Sequence, residues 1–262
     1  MQPEEIEGGL EPQTSAVPVE PTEAPAQPEA VAKREPFWGY MDLLMVIGLL
    51  IGSVVVIGVA AGLIMFLNPK LRADPTPLMI PMNLVVYGAL YLSLRGALQL
   101  RYGQPVFRSL GWRRSGPNPL LMIFGGFVLA FAISLGATAL HTPKIPTPFD
   151  QLAKSRVDFA IFAVTAVAIA PIFEELFFRG FIQPLLSRTF GVIAGVIITA
   201  ALFGSLHLME YSWAWQYALF ITVAGAVFGW LRARTGSIIP STVMHGAFNA
   251  VSVIALAFGK NI

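Results

Sequence analysis

Two adjacent glutamates and one arginine lie within an apolar stretch, Pro171-Ile-Phe-Glu-Glu-Leu-Phe-Phe-Arg-Gly180, that is otherwise typical of a membrane span. A charge at the bilayer centre costs about 2.5–3.5 kcal/mol on insertion scales, so such charges need partners, water or a function. In a helix, Glu175 and Arg179 share one face in the favourable order for an ion pair. Glu174 points about 100° away. The spacing predicts that Arg179 holds Glu175, while Glu174 stays free for chemistry.

Two histidines and an asparagine lie on two further apolar stretches, Phe203-Gly-Ser-Leu-His207 and Met244-His245-Gly-Ala-Phe-Asn249. The spacing puts His245 and Asn249 on one helical face. A lone histidine in a membrane often only hydrogen-bonds a neighbouring helix. However, polar residues in membrane helices usually face the bundle interior, and here they come from three spans. We therefore expect them to converge with the charged stretch in one polar chamber.

The chemistry that this set favours is hydrolysis. Glu174, with His207 beside it, could act as a general base that deprotonates a water molecule. His245 and Asn249 could donate hydrogen bonds to a developing oxyanion, an interaction that is strong in a site shielded from bulk water. In this interpretation Glu175 and Arg179 brace the helix that carries the base.

Metal-assisted hydrolysis is the alternative, because glutamate and histidine are competent zinc ligands. Its metal ligands would be Glu174, His207 and His245. The zincin motif HExxH is absent, and His207-Leu-Met-Glu210 imitates it only weakly. From the residues alone, a site with a divalent metal such as zinc and a site with no metal both stay open.

The composition indicates how these residues are positioned. Of the 262 residues, 55% are hydrophobic and only 12% are charged, against about 25% charged in soluble domains. The absence of cysteine excludes disulfides and thiolate chemistry. We predict an all-α polytopic membrane protein with about seven transmembrane helices. The predicted spans cover about residues 38–67, 78–94, 119–140, 157–186, 191–208, 213–231 and 238–258.

The domain organisation follows from these spans. Residues 1–36 are rich in Pro, Glu, Ala and Gln, which predicts a disordered cytoplasmic tail. Residues 37–262 form the predicted transmembrane domain. In its first span, Gly48-xxx-Gly52 and Gly58-xxx-Gly62 predict close packing against another helix.

The charges predict an orientation. Seven spans place eleven basic residues on the side of the N-terminus and six on the other side. This excess indicates an N-terminus inside the cell. After residue 36 the chain carries seven acidic and fifteen basic residues, which we interpret as basic cytoplasmic loops and not as a nucleic-acid-binding surface.

The depth of His245 sets a geometric condition. It lies only about 10 Å into the last span, so convergence with Glu174 requires that span to begin deep in the protein or to start irregularly near Gly236 and Pro240. We expect the side chains of His245 and Glu174 to lie within about 10 Å of each other, the reach of a shared substrate group.

The three motifs, Glu174-Glu175-xxx-Arg179, Phe203-xxx-His207 and His245-xxx-Asn249, resemble in order those of the CAAX protease and bacteriocin-processing enzyme family (CPBP, also called Abi). The resemblance covers residues 157–258. It implies an intramembrane endopeptidase whose chamber is lined by six residues. They are Glu174, Glu175, Arg179, His207, His245 and Asn249.

The resemblance also frames mechanism and substrate. The family is often described as metalloproteases, and a glutamate-based mechanism without metal has also been argued. The implied substrate is a membrane-associated peptide or protein, with a lipidated (prenylated) protein and a bacteriocin-type peptide as candidates. The implied location is the bacterial cytoplasmic membrane. The alternatives are a catalytically silent scaffold or bacteriocin-immunity protein of the same fold, and a proton-coupled transporter, which internal repeats would favour; none is found.

Overall fold

The computed structural model describes residues 36–145, 152 and 155–260. Within those residues every regular element is a helix, which confirms the predicted all-α fold. The helices in chain order are α1 (Tyr40–Leu67), α2 (Pro69–Ala73), α3 (Thr76–Leu100), α4 (Val106–Ser109), α5 (Pro119–Ala139), α6 (Arg156–Phe190), α7 (Val192–Leu206), α8 (Trp215–Thr235) and α9 (Ile239–Lys260). The predicted tail, residues 1–36, lies outside the described residues except for Pro36.

Six of these helices, α1, α3, α5, α6, α8 and α9, are long and apolar enough to cross a membrane. The seventh predicted span corresponds to α7, which is a shorter apolar helix of 15 residues. It is about 22 Å long, less than the hydrocarbon thickness of about 30 Å. With these helices, the chain is an integral multi-pass membrane protein. The difference places His207 at the end of a short helix, as its C-cap.

The long helix α6 spans 35 residues and is not α-helical throughout. It is π-helical over Thr165–Ile169 and again over Leu176–Ile182. The glutamate pair lies between these segments, and the second segment begins directly after Glu175. A π-helical turn contains an extra residue, which disturbs the usual backbone hydrogen bonds, and such turns are frequent at functional sites.

Side chains from distant parts of the chain bind carbonyl groups of both π-helical segments. Trp38 Nε1 donates to the Phe181 carbonyl at 3.0 Å, and the two rings stack with centroids 5.6 Å apart. Asn249 Nδ2 donates to the Ala166 carbonyl at 2.9 Å. These bonds satisfy backbone acceptors inside an apolar bundle, where an unpaired carbonyl would be costly.

The start of α9 lies deep in the protein, as the convergence of the site requires. Helix α8 ends at Thr235, and the residue after it, Gly236, has a left-handed φ of 64° that suits glycine. The backbone N–H of Ile238 donates to the Gly111 carbonyl at 3.0 Å, and Ser237 and Ile238 are fully buried. Of the two predicted ways to bring His245 close to Glu174, the structure shows the first, a helix start that is buried in the protein after a short turn.

Glycines hold α9 close to its neighbours. A Cβ atom added to Gly126 of α5 would lie 2.5 Å from the Met244 carbonyl oxygen. One added to Gly246 would lie 2.5 Å from the Val167 carbonyl oxygen of α6. These contacts involve Met244 and Gly246, the residues on either side of His245, so close backbone approach positions this histidine. For the glycines of α1, an added Cβ atom meets nothing within 4 Å in the described chain. Within the described chain, no neighbouring helix therefore packs closely on that motif.

Candidate active site

The predicted ion pair between Glu175 and Arg179 is present and fully buried. Arg179 Nη1 lies 3.0 Å from Glu175 Oε1, and neither side chain is exposed to solvent. Arg179 Nη2 donates to the Gly225 carbonyl of α8 at 2.9 Å, and the guanidinium lies 4.5 Å from the ring centroid of Phe203. Because a buried charge is tolerated only with close partners, this arrangement ties α6 firmly to α7 and α8.

His245 lies between the two glutamates. Its Nδ1 is 3.2 Å from Glu175 Oε1, and its Nε2 is 3.7 Å from Glu174 Oε2. The imidazole is buried and stacks on Phe228 with centroids 4.8 Å apart. The convergence expected within about 10 Å is therefore present at much shorter range. Because a carboxylate only accepts hydrogen bonds, Nδ1 carries the proton in this contact.

Glu174 is the accessible member of the pair, with its side chain 19% exposed. It does have a partner, which differs from the expectation that it stays free. The hydroxyl of Tyr87, on α3, donates to Glu174 Oε1 at 3.1 Å. Sequence reasoning missed Tyr87. In the sequence, Tyr87 is marked only as a tyrosine within an apolar span. Tyr91, four residues later, is marked in the same way, so the sequence does not distinguish the two.

His207 contacts Phe203, which in turn contacts the polar cluster formed by Glu174, Glu175, Arg179 and His245. Its Nδ1 is 2.9 Å from the Phe203 carbonyl oxygen, which fixes the proton on Nδ1 and leaves Nε2 as an acceptor in the neutral ring. The Phe203 ring contacts His207 edge-on at 4.9 Å and His245 at 5.7 Å between centroids. Within the described residues, no hydrogen bond or ion pair joins His207 directly to Glu174.

Asn249 lies one turn after His245 and binds the backbone of α6. Because one of its amide N–H groups is used by the Ala166 carbonyl, only the second remains for the predicted role as an oxyanion donor. The asparagine thus also has a structural role, which its spacing from His245 did not predict.

A third carboxyl group, Glu210, lies in the turn that follows α7. Burial raises the pKa of the Glu210 carboxyl above its ordinary value, although His207 and a hydrogen bond from Tyr211 oppose that shift. The charge of Glu174 adds to the rise. Since α7 ends at Leu206, the His207-Leu-Met-Glu210 sequence is not helical, and its likeness to the zincin motif, which needs a helix, does not hold.

The cluster does not match a three-ligand metal site. Among the residues that the structure describes, no group of three or more His, Asp or Glu side chains is arranged to hold a metal ion. Both nitrogens of His245 face carboxylates. The predicted ligand set of Glu174, His207 and His245 is therefore not assembled, and we derive no catalytic step through a metal.

Residues 156–251 match a protein-family model described as "Type II CAAX prenyl endopeptidase Rce1-like". No curated protein and no solved structure matches the chain. The matched region contains all three motifs and the whole polar cluster except Tyr87. The match confirms the resemblance predicted from the three motifs, to the CAAX protease and bacteriocin-processing enzyme family of intramembrane proteases.

Proposed function

We propose that this protein is an intramembrane endopeptidase that hydrolyses a peptide bond of a membrane-associated peptide or protein, with Glu174 as the general base. The observation that carries the proposal is the position of His245, whose ring nitrogens lie 3.2 Å from Glu175 and 3.7 Å from Glu174. A partly accessible carboxylate beside a buried histidine can transfer a proton while the histidine stabilises the charge that develops.

In the proposed reaction, Glu174 takes a proton from a water molecule while the water oxygen attacks the carbonyl carbon of the substrate. The carbon–oxygen bond forms as the carbonyl electrons move onto its oxygen. When this tetrahedral intermediate collapses, the carbon–nitrogen bond breaks, and the proton held by Glu174 passes to the leaving amine. His207 assists by accepting a hydrogen bond from the same water at Nε2, because its Nδ1–H is held by the Phe203 carbonyl.

His245 is the proposed donor to the oxyanion. With Nδ1–H directed to Glu175, Nε2 can donate only when the ring is an imidazolium. With His245 as an imidazolium, the charges of the cluster cancel, because the carboxylates of Glu174 and Glu175 face two cations, Arg179 and His245. The second N–H of Asn249 is the other proposed donor. Preorganised donors of this kind contribute several kcal/mol in a site that excludes bulk water.

The substrate class is proposed from the family match and the membrane setting. A prenylated protein with a CAAX-type terminus and a bacteriocin-type peptide are the two candidates. The first agrees with the printed description of the matching family. We further propose that the protein lies in a bacterial cytoplasmic membrane with its N-terminus inside, as the excess of basic residues on that side indicates.

The test is peptide cleavage by the purified protein in proteoliposomes, with an internally quenched farnesylated CAAX peptide and a bacteriocin precursor as probes. Glu174→Ala and His207→Ala should each lower kcat by about 10²–10⁴-fold. Asp158→Asn, on the same helix but outside the cluster, is the matched control and should keep wild-type activity. Activity lost with a chelator and restored by zinc would instead support the metal alternative.

The scaffold or immunity function is the second candidate. The same geometry supports it, because the Glu175–Arg179 pair stabilises the bundle whether or not the protein cleaves anything. A phenotype that survives both Glu174→Ala and His207→Ala would favour it. Identifying peptides that accumulate in cells carrying Glu174→Ala would name the substrate if the endopeptidase proposal holds.

A further inference from the structure

Tyr87 contacts the proposed general base from a helix outside the region matched by the family model. It lies on α3, and its hydroxyl donates to Glu174 Oε1 at 3.1 Å. Its ring stacks on Phe173, the residue before Glu174, with centroids 5.4 Å apart and planes 13° from parallel. Both the phenol and its ring therefore contact the short segment of α6 that carries the glutamate pair.

The two oxygens of Glu174 have different neighbours. Oε1 accepts from Tyr87, and Oε2 faces His245 Nε2 at 3.7 Å. The terminal torsion of a glutamate side chain is broad and is not fixed by its own rotamer preferences. A contact from α3 on one oxygen and a contact from α9 on the other therefore fix the plane of the Glu174 carboxylate. In that plane, Oε2 points towards His245.

Solvation alone does not account for this hydrogen bond. Glu174 is partly accessible, so water can reach it, whereas the fully buried Glu175 already has Arg179 and His245 as partners. The remaining charged or titratable groups of the cluster belong to α6, to α9, and to the C-cap of α7 and the turn after it; they are Glu175, Arg179, His207, His245 and Glu210. Through the hydroxyl of Tyr87, the N-terminal half of the chain contacts the Glu174 carboxylate.

We propose that Tyr87 is a positioning residue for peptide hydrolysis: its hydroxyl holds Oε1 of Glu174 so that Oε2 meets the attacking water. The proposal rests on the proposed function, since it assigns Glu174 the role of general base. A misoriented general base slows the chemical step more than it weakens substrate binding. The effect of losing the hydroxyl should therefore appear in kcat.

The kinetic test compares Tyr87→Phe with Tyr91→Phe on the peptide that the wild-type protein cleaves. Tyr91 is a phenol on the same helix that packs on Phe107, which makes it a matched control. Tyr87→Phe should lower kcat about tenfold, as expected for a lost hydrogen bond to a charged group. KM should stay within about twofold of wild type, since binding contacts are kept, and Tyr91→Phe should match wild type. An unchanged kcat, or a change confined to KM, overturns the proposal.

A second measurement does not depend on activity. The infrared difference spectrum between wild type and Tyr87→Phe should contain a shifted carboxylate band, and that band should vanish when both proteins also carry Glu174→Gln. A difference spectrum without the band overturns the proposal even for a protein that cleaves no peptide. Full activity of Glu174→Gln itself would instead refute the proposed function, so the two failures are distinguishable.

Discussion

Helices α1 and α6 are both apolar enough to span a membrane, yet they occupy different environments. Helix α1 has the higher mean hydropathy, but only 6% of its most apolar 18-residue window is buried, against 39% for α6. This is the reverse of a soluble protein, where the most apolar segment forms the core. In a membrane protein, large apolar residues commonly face the lipid, whereas small and polar residues commonly face neighbouring helices.

The polar residues of the two helices follow the same division. Helix α1 is held near its N-terminal end, where the buried Asp42 accepts hydrogen bonds from Arg101 and Tyr102, each at 2.9 Å. Helix α6 carries its buried ion pair, Glu175 and Arg179, at mid-length, where α7, α8 and α9 contact it. The comparison indicates that charged groups fasten α1 at one end but organise the interior of the bundle around α6.

The largest expected effect comes from removing one partner of the buried ion pair. Arg179→Met removes the guanidinium partner of the buried Glu175 carboxylate and leaves only His245 beside it, which should lower the free energy of unfolding by about 3–5 kcal/mol. Thermal unfolding in detergent measures this. The double variant Glu175→Leu with Arg179→Met should recover most of the stability but no cleavage, because His245 loses its acceptor. If the double variant is as unstable as the single one, the pair is not the source of the effect.

Glycine substitutions test the same difference between tight packing around α6 and open space around α1. Gly246→Ala places a Cβ atom 2.5 Å from the Val167 carbonyl oxygen, and such overpacking should destabilise the fold by about 1–3 kcal/mol. Gly58→Ala on α1 adds its Cβ where nothing lies within 4 Å, so stability should change by no more than about 0.5 kcal/mol. Equal effects of the two substitutions on the unfolding midpoint would contradict the comparison.

The smallest expected effect concerns the anchor of α1. The hydrogen bond to Asp42 raises the pKa of Tyr102 above its ordinary value of 10.0. The neutral phenol is therefore favoured in the folded state, and its stabilisation is present below pH 10 and is lost as the pH rises through the raised pKa. The unfolding midpoints of wild type and Tyr102→Phe should differ slightly at pH 8 and converge in more alkaline buffer. A difference independent of pH would show that this hydrogen bond contributes nothing.

The convergence of the polar residues was predictable because charge in a membrane has few stable locations. Glu174, Glu175 and Arg179 had to face protein or water, and the helical spacing of Glu175 and Arg179 specified their ion pair. The depth of His245 also correctly required a buried or irregular start of α9. These inferences depend on energetic costs and helical geometry, both of which are local properties of the chain.

Other features required the folded structure. Apolar periodicity does not distinguish a π-helical turn from an α-helical one, so the two π-helical segments of α6 and the role of Asn249 in binding one of them were not predicted. The length of α7 was overestimated, because apolar residues continue past the helix end at Leu206.

The sequence by itself determined the membrane-spanning helical class, the ion pair and the residues of the polar cluster, because burying charge in lipid is costly wherever it occurs. Only the tertiary structure decided that Tyr87, and not Tyr91, reaches Glu174, and that α1 is left without a tightly packed glycine face among the described residues. Such contacts join segments far apart in the chain, and they depend on helix rotation and depth, which no local pattern encodes.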